Sequence, residues 1–488
     1  MKKVLHVVLA FLFSLVTVLS LANAHQVNAA DDSLQKIKDK GTIVMGTSPD
    51  YAPYEFLVNV GGKNRVEGMD VEVAKQIASD LGVKLKIKQM DFDQLLVALE
   101  TKKVDMVISG MSPTPARAKN VDFSHIYYKG GQDILVNKAD AKIYAKGKDA
   151  LRNKNIGAQT GSLQYELAKK QVPGATVKGL GKVTDLILAL KSHKVDAVNV
   201  EKPVAEAYAS NDKTLTAIDG RYNLGSGETG TAIGFHKGST TLVNAVNKTL
   251  DKIKKQNKTK AYLETAGKYM AGNTQNTTMI HYWKYFALGV GYTLLISAIA
   301  VVMGVVIGVI LALMRLGKNK VLHGIAVAYI EFIRGTPLMV QVMFVYFGIG
   351  VLVQIPALTA GIIAVGINSS AYVAEIIRSG IDSIPVGQTE AARSLGMSKN
   401  QAMSNVVLPQ AIKNIWPALG NEFISLIKES SIVSIIGVTD LIYQLKVVQT
   451  ATYRGIAPIA VAMVLYFVMT FTLSRVLGHF EGKMNHEG

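Results

Sequence analysis

The side chains that could do chemistry in this sequence carry a guanidinium group, a carboxylate and hydroxyls, and they follow β-type runs. Arg117 ends the stretch SGMSPTPAR at 109–117, and Glu201 follows the β-type run VDAVNV at 195–200. A planar guanidinium holds a carboxylate through two parallel hydrogen bonds, and Ser112 with the neighbouring backbone can supply further contacts. These residue types favour recognition of a small molecule that carries a carboxylate.

Other patterns exclude several chemistries. The sequence has no cysteine, so it has no disulfide framework, thiolate metal site or cysteine nucleophile. The run GSGETG at 225–230 fits the dinucleotide pattern GxGxxG, but a β-type run follows it instead of a helix. The run GLGKVT at 179–184 lacks the spacing of a phosphate-binding loop. We therefore expect neither a dinucleotide site nor a Walker A site.

The elements that must position these residues alternate between strands and helices. From Gly41 to about Met270, short β-type runs alternate with helical periodicity in two successive series. This alternation predicts parallel sheets covered by helices, and two series predict two lobes. The β-rich segments at 133–137 and 231–236 are the expected crossings between the lobes. Two crossings can flex as a hinge, and the cleft between the lobes is the expected ligand site.

The first 30 residues have a basic start, an apolar run and small residues at their end, which is typical of an export signal cleaved after Ala24 or Ala29. An uncleaved amino-terminal anchor is the alternative. Both interpretations place the following residues outside the cell. The net charge of +17 would suggest nucleic acid in a cytosolic protein, but the lysines are spread along the exported segment. We expect no nucleic-acid partner, and instead proximity to anionic lipid or wall polymer.

Beyond about residue 284, five apolar stretches are long enough to cross a bilayer. Glu331 and the run Arg334–Pro337 interrupt the second stretch, so either this break is functional or the span begins after Pro337. Lysines and arginines follow the first span and lie between the third and fourth, which predicts a cytoplasmic carboxyl terminus. The predicted stretches are 285–313, 321–353, 358–377, 419–438 and 456–477.

A motif between the third and fourth stretches carries a family resemblance. The run EAARSLG at 390–396 is followed by VVLP at 406–409. It resembles the EAA coupling motif of ABC importer permeases. This resemblance implies that a separate cytoplasmic ATPase docks on the motif. Small residues allow close approach of a partner, Gly396 should end one helix, and Pro409 should bound the next. An ordinary amphipathic connector is the alternative. The residues expected to contact the ATPase are Glu390, Ala391, Ala392 and Gly396.

The runs RGTPL at 334–338 and KESS at 428–431 are likewise similar to the polar amino-acid branch of these permeases, and the exported part resembles its amino-acid-binding proteins. This resemblance implies a type II, two-lobed periplasmic-binding-protein fold. It also implies that Arg117 holds the ligand α-carboxylate and that Glu201 holds the α-ammonium group. Ser162, which opens a helix, would add donors from the second lobe. The remaining residues expected at the ligand are Tyr51, Phe92, Ser109, Gly110 and Ser112.

Each assignment has a structural alternative. Arg117 could lie on the surface, Glu201 could cap the helix that begins near Pro203, and Tyr51 or Phe92 could belong to the core. Together they favour a free amino acid, because that ligand needs a carboxylate clamp, an ammonium clamp and an aromatic wall. Ser48 stands where relatives that bind cationic ligands often have an acid, which favours glutamine or asparagine. Asp50 and Glu55 keep arginine, lysine or histidine open.

The sequence thus predicts a binding and permease subunit of an ABC importer, with no ATPase site and no bound cofactor of its own. ATP would be used by the partner ATPase, and the chain would form a homodimer in the cell membrane with its binding domain outside. A ligand-gated channel and a sensory receptor are the remote alternatives. The predicted division is a signal at 1–30, a binding domain at 31–270, a linker at 271–283 and a permease domain at 284–480. Lobe one would comprise about 31–130 and 225–270, lobe two about 131–224, and the coupling loop about 380–412.

Overall fold

The computed structural model describes residues 31–60, 63–225, 227–273, 278–452 and 454–486. The predicted export signal lies outside these residues, as do four residues of the predicted linker. The strands are β1 (Thr42–Thr47), β2 (Asp50–Tyr51), β3 (Glu55–Val60), β4 (Lys63–Glu67), β5 (Lys84–Gln89), β6 (Met106–Val107), β7 (Val121–Phe123), β8 (Gln132–Asn137), β9 (Asn155–Gln159), β10 (Thr176–Leu180), β11 (Ala197–Glu201), β12 (Leu215–Asp219) and β13 (Gly234–His236).

Helices cover these strands and then continue alone to the carboxyl terminus. Those of the amino-terminal half are α1 (Ser33–Lys40), α2 (Met69–Leu81), α3 (Leu95–Glu100), α4 (Pro115–Ala118), α5 (Leu163–Gln171), α6 (Val183–Lys191), α7 (Lys202–Asn211), α8 (Thr240–Lys255) and α9 (Lys258–Asn273). Those of the carboxyl-terminal half are α10 (Trp283–Leu316), α11 (Lys320–Arg334), α12 (Leu338–Met343), α13 (Ala357–Asp382), α14 (Val386–Ser394), α15 (Lys399–Ala402), α16 (Leu408–Glu429), α17 (Leu441–Thr452) and α18 (Ile456–His486).

The amino-terminal half contains two five-stranded sheets and one hairpin sheet. Lobe one has the strand order β5-β1-β6-β13-β7, and lobe two has the order β10-β9-β11-β8-β12. Within each lobe, three neighbouring strands are parallel, as their alternation with helices predicts. The remaining pairings are antiparallel, because strands on either side of the hinge run back along the sheet. The short antiparallel sheet β2-β3-β4 has no helix between its strands, and the alternation of strands and helices does not predict it.

The two connections between the lobes lie side by side. Tyr128 and Thr231 form an isolated antiparallel bridge, with the amide of Thr231 donating to the carbonyl of Tyr128 at 2.9 Å. The crossing at Thr231 lies at the first residue of the predicted segment 231–236, whereas the crossing at Tyr128 lies before the predicted segment 133–137. Two adjacent extended segments joined by so few bonds can bend together, which is the geometry of a hinge.

Among the described residues of the carboxyl-terminal half, three helices are long and apolar enough to cross a membrane, at Met279–Leu316, Ala357–Asp382 and Ile456–Gly482. Two bent pairs raise the number to the predicted five if each pair forms one span. Helices α10 and α13 pack closely through small residues, since a Cβ added at Gly304 would lie 2.6 Å from Ser369. Close approach of this kind is typical of helix pairs within membranes.

The interruption at residues 335–337 is a true bend, because α11 and the helical segment after Pro337 differ in direction by 105°. The side chain of Gln341 satisfies the backbone freed there, donating to the carbonyl of Ile333 at 2.7 Å and to that of Thr336 at 3.0 Å. Asn368 in turn donates to the Gln341 side chain at 3.0 Å. Buried amides thus replace the water that would otherwise solvate broken backbone.

Pro409 is the second residue of α16, so it lies at the start of a helix as the sequence interpretation expected, but no loop precedes that helix. Helical residues run without a gap from Lys399 to Ile436, and the π-helical turn Met403–Val407 directly precedes α16. A proline lacks the amide that would complete the preceding turn, and a π-helical turn is a common way to accommodate the change. The fourth predicted stretch therefore belongs to a longer helical run that begins in the predicted coupling loop.

The predicted linker is shorter than its composition suggests. Helix α9 continues to Asn273, so Ala271 lies in its last turn. A short 3₁₀ turn at Met279–Tyr282 then leads directly into α10. Alanine favours a helix and glycine disfavours it, so their opposing preferences do not determine where the helix ends, and packing of α9 on strand β3 extends it.

Candidate functional site

Arg117 lies at the cleft and contacts both lobes. It belongs to α4, a short helix whose first residue is a proline and whose preceding residue, Thr114, caps it. One terminal nitrogen of Arg117 donates to the carbonyl of Ser112 at 2.8 Å, and the other donates to the carbonyl of Gly161, in lobe two, at 2.9 Å. The guanidinium also lies 5.5 Å from the ring centroid of Phe92. Burial lowers the pKa of Arg117 to about 10, so it stays charged at neutral pH.

Glu201 ends strand β11 in lobe two and is 2% exposed. The hydroxyl of Tyr54, in lobe one, donates to the Glu201 carboxylate at 2.5 Å, and the backbone amide of Glu201 donates to the Tyr51 hydroxyl at 3.1 Å. Its side chain makes no capping bond to α7, so capping does not explain its position. Burial raises the pKa of Glu201 to about 8, and nearby Asp70 adds to this, while Tyr54 and Arg117 oppose it.

Ser109 follows strand β6 at the floor of the cleft and is buried. Its hydroxyl donates to the Glu55 carboxylate at 2.6 Å and accepts from the backbone amide of Ser48 at 3.1 Å. Burial raises the pKa of Glu55 well above its usual range, and the charge of Asp70 raises it further. Glu55 is therefore a buried acid, and one of its two carboxylate oxygens is bonded to Ser109.

Gly110 has a left-handed backbone, with φ of 52°, and its amide donates to the Asp70 carboxylate at 2.8 Å. A Cβ added there would lie 3.0 Å from the ring of Tyr51, so glycine allows this ring to cover the loop. Tyr127 donates to the other oxygen of Asp70 at 2.7 Å. Asp70 thus fixes the loop that carries Ser109, Gly110 and Ser112.

The other predicted residues lie in the same cleft. Ser162 is buried at the start of α5, and its hydroxyl accepts from the amide of Tyr165 at 3.2 Å. Phe92 stands in a short 3₁₀ turn of lobe one and faces Arg117. Tyr51 stacks on Tyr54 with ring centroids 5.7 Å apart. The structure therefore brings the eight predicted residues to one cleft between the lobes.

A cluster around Lys182 was missed by the sequence analysis. The ammonium group of Lys182, in lobe two, lies 3.1 Å from the Ser48 hydroxyl, 3.7 Å from Asp50 and 2.9 Å from Asp91, all in lobe one. Asp50 also accepts from the backbone amide of Val183 at 2.8 Å. We name Lys182, Ser48, Asp50 and Asp91 the lobe clamp. Burial alone would lower the pKa of Lys182, but Asp50 and Asp91 outweigh it and hold the pKa above its usual range.

The sequence signals for the lobe clamp were Ser48 and Asp50, weighed as possible ligand contacts, and the lysine of the run GLGKVT, dismissed with the phosphate-binding loop. Tyr54 and Asp70 had no signal of their own. Their roles depend on contacts between segments far apart in the sequence.

The predicted coupling residues lie on α14 and its end. Glu390 and Ala391 are exposed, whereas Ala392 is buried against the rest of the chain. Gly396 follows the helix with φ of 88°, a conformation that glycine adopts without strain. Leu395 is 82% exposed, so this end of the helix presents an apolar surface. An exposed short helix held at one buried face is suited to contact with another subunit.

Comparisons with known proteins agree with both halves. Residues 43–268 match the bacterial extracellular solute-binding proteins of family 3, and residues 304–486 match the binding-protein-dependent transport system inner membrane component. The chain is 43% identical over 194 residues to Rickettsia bellii GlnP, named for a glutamine transport permease, covering 39% of this chain and 89% of that protein.

Two proteins of Bacillus subtilis are also similar. The arginine transport system permease ArtQ is 39% identical over 198 residues, which cover 40% of this chain and 90% of that protein. The arginine-binding extracellular protein ArtP is 38% identical over 216 residues, which cover 43% of this chain and 80% of that protein. The relatives of each half thus occur as separate proteins.

Proposed function

We propose that this chain imports a neutral polar amino acid of the glutamine type. The premise is that it belongs to the ABC-type amino-acid importers and joins a family 3 solute-binding domain to a permease domain. The observation that carries this proposal is the pairing of Arg117 and Glu201 across one buried cleft. A free amino acid carries one carboxylate and one ammonium group, and these two side chains offer one partner of opposite charge to each.

The lobe clamp supports a neutral ligand side chain. Lys182 already pairs with Asp50 and Asp91, the carboxylates that a cationic ligand would need. A second cation beside this ammonium group would be repelled, and the cost of leaving a buried charge unpaired is large. An amide side chain carries no charge and can exchange hydrogen bonds with Ser48 and its neighbours. Glutamine and asparagine therefore fit better than arginine.

Arginine remains the second candidate because of a specific observation. The binding half is similar to ArtP of Bacillus subtilis, which is named for arginine binding. Four carboxylates, of Asp50, Asp91, Asp93 and Asp185, lie at this edge of the cleft, and one lysine pairs with two of them. If Lys182 swings away when the ligand binds, these carboxylates could hold a cationic side chain.

Import needs partners that the resemblance implies. A cytoplasmic ATPase would dock on the segment from Glu390 to Gly396 and supply the energy of ATP hydrolysis. We expect two copies of this chain in each transporter, each spanning the membrane with its binding domain, at about 31–270, outside and its carboxyl terminus inside. The permease domain would then occupy about 284–480.

The test is uptake by the full chain reconstituted with its ATPase in proteoliposomes. Labelled glutamine should accumulate when ATP is enclosed, and unlabelled asparagine should compete better than arginine. Arg117→Ala should abolish uptake while leaving the ATPase bound. Lys182→Met should lower the affinity for glutamine and raise that for arginine. Uptake of none of the twenty amino acids would refute the proposed function, and preference for arginine in the unmodified chain would favour the second candidate.

A further inference from the structure

The helix α17 of the permease half lies against the binding domain, and its contacts begin on lobe one. The hydroxyl of Tyr443 donates to the side chain of Gln89 at the end of strand β5. Three residues further along the helix, the ammonium group of Lys446 lies 3.8 Å from the carboxylate of Asp91. A Cβ added at Gly437, just before the helix, would lie 2.0 Å from the Gln89 carbonyl, so the two backbones touch there. Lobe one thus contacts α17 through the segment that follows β5.

The same helix and the loop that follows it also contact lobe two. A Cβ added at Gly455 would lie 2.7 Å from the side chain of Leu188, which belongs to α6. A cavity of about 490 Å³ continues this contact, with Ile187 and Tyr208 on one side and Ile456 on the other. The permease half therefore meets both lobes through residues 437–452 and 454–456. We name these residues the docking segment.

Both contacts exist together only while the lobes are closed on each other. The lobe clamp joins Lys182 to Asp91, and α6 begins at Val183, directly after Lys182. Separation of the lobes would break this pair and the bond from Val183 to Asp50. Rotation about the hinge would then carry Leu188 away from Gly455 while Gln89 stayed at Tyr443. The docking segment accordingly distinguishes a closed cleft from an open one.

The clamp is directly connected to the ligand-binding residues. Asp91 contacts Lys182 and Lys446, and the next residue, Phe92, packs on the guanidinium of Arg117. The following residue, Asp93, lies beside Gly161 of lobe two. Three consecutive residues therefore touch the permease half, the proposed carboxylate clamp and the opposite lobe. A movement of Arg117 on binding a ligand reaches Lys446 through one rigid turn.

Lobe one has a second contact with the permease half, remote from the cleft. The side chain of Lys103 is buried, lies 4.8 Å from the ring centroid of Tyr346, and donates to the carbonyl of Ile355 at 3.4 Å. A Cβ added at Gly350 would lie 2.3 Å from the same ammonium group. This contact involves lobe one alone, so it does not depend on closure. It can hold the domain on the permease half while lobe two opens and closes.

We infer that each binding domain docks on the permease half of its own chain, through the docking segment and the contact of Lys103. The inference rests on the proposed function only for the identity of the ligand that closes the cleft. The alternative is docking in trans, on the second chain of a homodimer, which a linker after α9 could also permit. The two arrangements differ in which polypeptides carry the two sides of the contact.

The experiment uses the absence of cysteine from the natural sequence. Leu188→Cys and Gly455→Cys, introduced together in the full chain with its ATPase, place one thiol on each side of the lobe-two contact. Oxidation should produce an internal disulfide that leaves the chain at monomer mass, recognised by its faster migration without reductant. The yield should rise at least several-fold when the amino acid that binds is added, and all twenty can be screened.

The controls separate the possible outcomes. Chains with only one of the two cysteines, carrying different tags, are produced together and oxidised. Docking on the same chain predicts no disulfide between the tags, whereas a covalent dimer of the two tags would overturn the inference. An internal disulfide that forms equally with and without every amino acid would contradict the argument that lobe two joins this contact only when the cleft is closed. Failure of glutamine alone, with a response to another amino acid, would correct the ligand and leave the docking intact.

Discussion

Replacement of Glu201 by glutamine should make the cleft close without a ligand. In the closed domain Glu201 is buried, and its pKa is about 8 against an ordinary value of 4.5. If the carboxyl is solvated in the open domain, closing at pH 7 without a ligand costs about 3 kcal/mol, from the shift between these two values. Glutamine carries no charge and does not bear this cost, so Glu201→Gln should raise the ratio of closed to open domains on the order of 100-fold.

The sign of the pH dependence follows from the same shift. The pKa is raised on closing, so closure without a ligand is favoured at low pH, and this advantage is lost as the pH rises from about 4.5 to about 8. At pH 5 the cost falls to about 1 kcal/mol. The unmodified domain should therefore close more often at pH 5 than at pH 7, whereas Glu201→Gln should show a weaker dependence. Arg117 remains charged across this range and does not contribute.

Two measurements check this prediction. Formation of the disulfide between Leu188→Cys and Gly455→Cys, without any amino acid, reports closure at each pH after correction for thiol reactivity with a denatured control. Calorimetry on the same chains reports ligand affinity, which should fall roughly 30-fold or more in Glu201→Gln because the ammonium group loses a charged partner. An unchanged closure in Glu201→Gln, together with closure of the unmodified domain that does not vary with pH, would refute the reasoning.

Three further predictions concern other parts of the chain. Arg117→Ala should weaken ligand binding by at least about 100-fold, yet change the melting temperature without ligand little, as calorimetry and thermal unfolding can show. Gly396→Val should destabilise the end of α14 by about 1 kcal/mol or more, because φ is 88° there, and should reduce stimulation of the ATPase without changing ligand affinity. Lys446→Glu should lower transport by disturbing the contact with Asp91, 3.8 Å away, whereas Lys446→Arg should retain most of the transport, and equal losses in the two variants would contradict the pairing.

The sequence was sufficient to predict most of the elements around the cleft. Strands β1 and β9 are short, mostly apolar runs, strand β5 alternates lysine with apolar residues, and the helices between them have clear periodicity, so local patterns identified them. The hairpin β2-β3-β4 was missed because its residues lack a helix to separate the strands. Helix α9 was predicted to end early, since the interaction that extends it is packing on β3.

The residues of the site also divide into those that local motifs predicted and those that only distant contacts reveal. Arg117 and Glu201 were predicted from motifs that place them beside apolar strands, and both lie at the cleft. Tyr54 and Lys182 could not be predicted, because each acts on a residue more than a hundred positions away. The contacts of the docking segment could not be predicted either, because nothing in its sequence indicates contact with the domain that precedes it.

The charges of a free amino acid explain how binding could drive closure. Without a ligand, the closed cleft buries Glu201 against tyrosine hydroxyls and leaves Arg117 bonded only to carbonyl groups among its described contacts. Both arrangements penalise the charged forms, which the shifts in pKa express. A zwitterion brings the opposite charge to each side chain and removes both penalties together, whereas a ligand that lacks either charged group removes only one. Closure would therefore require an intact free amino acid, and the turn from Asp91 to Asp93 would report that requirement to the permease half.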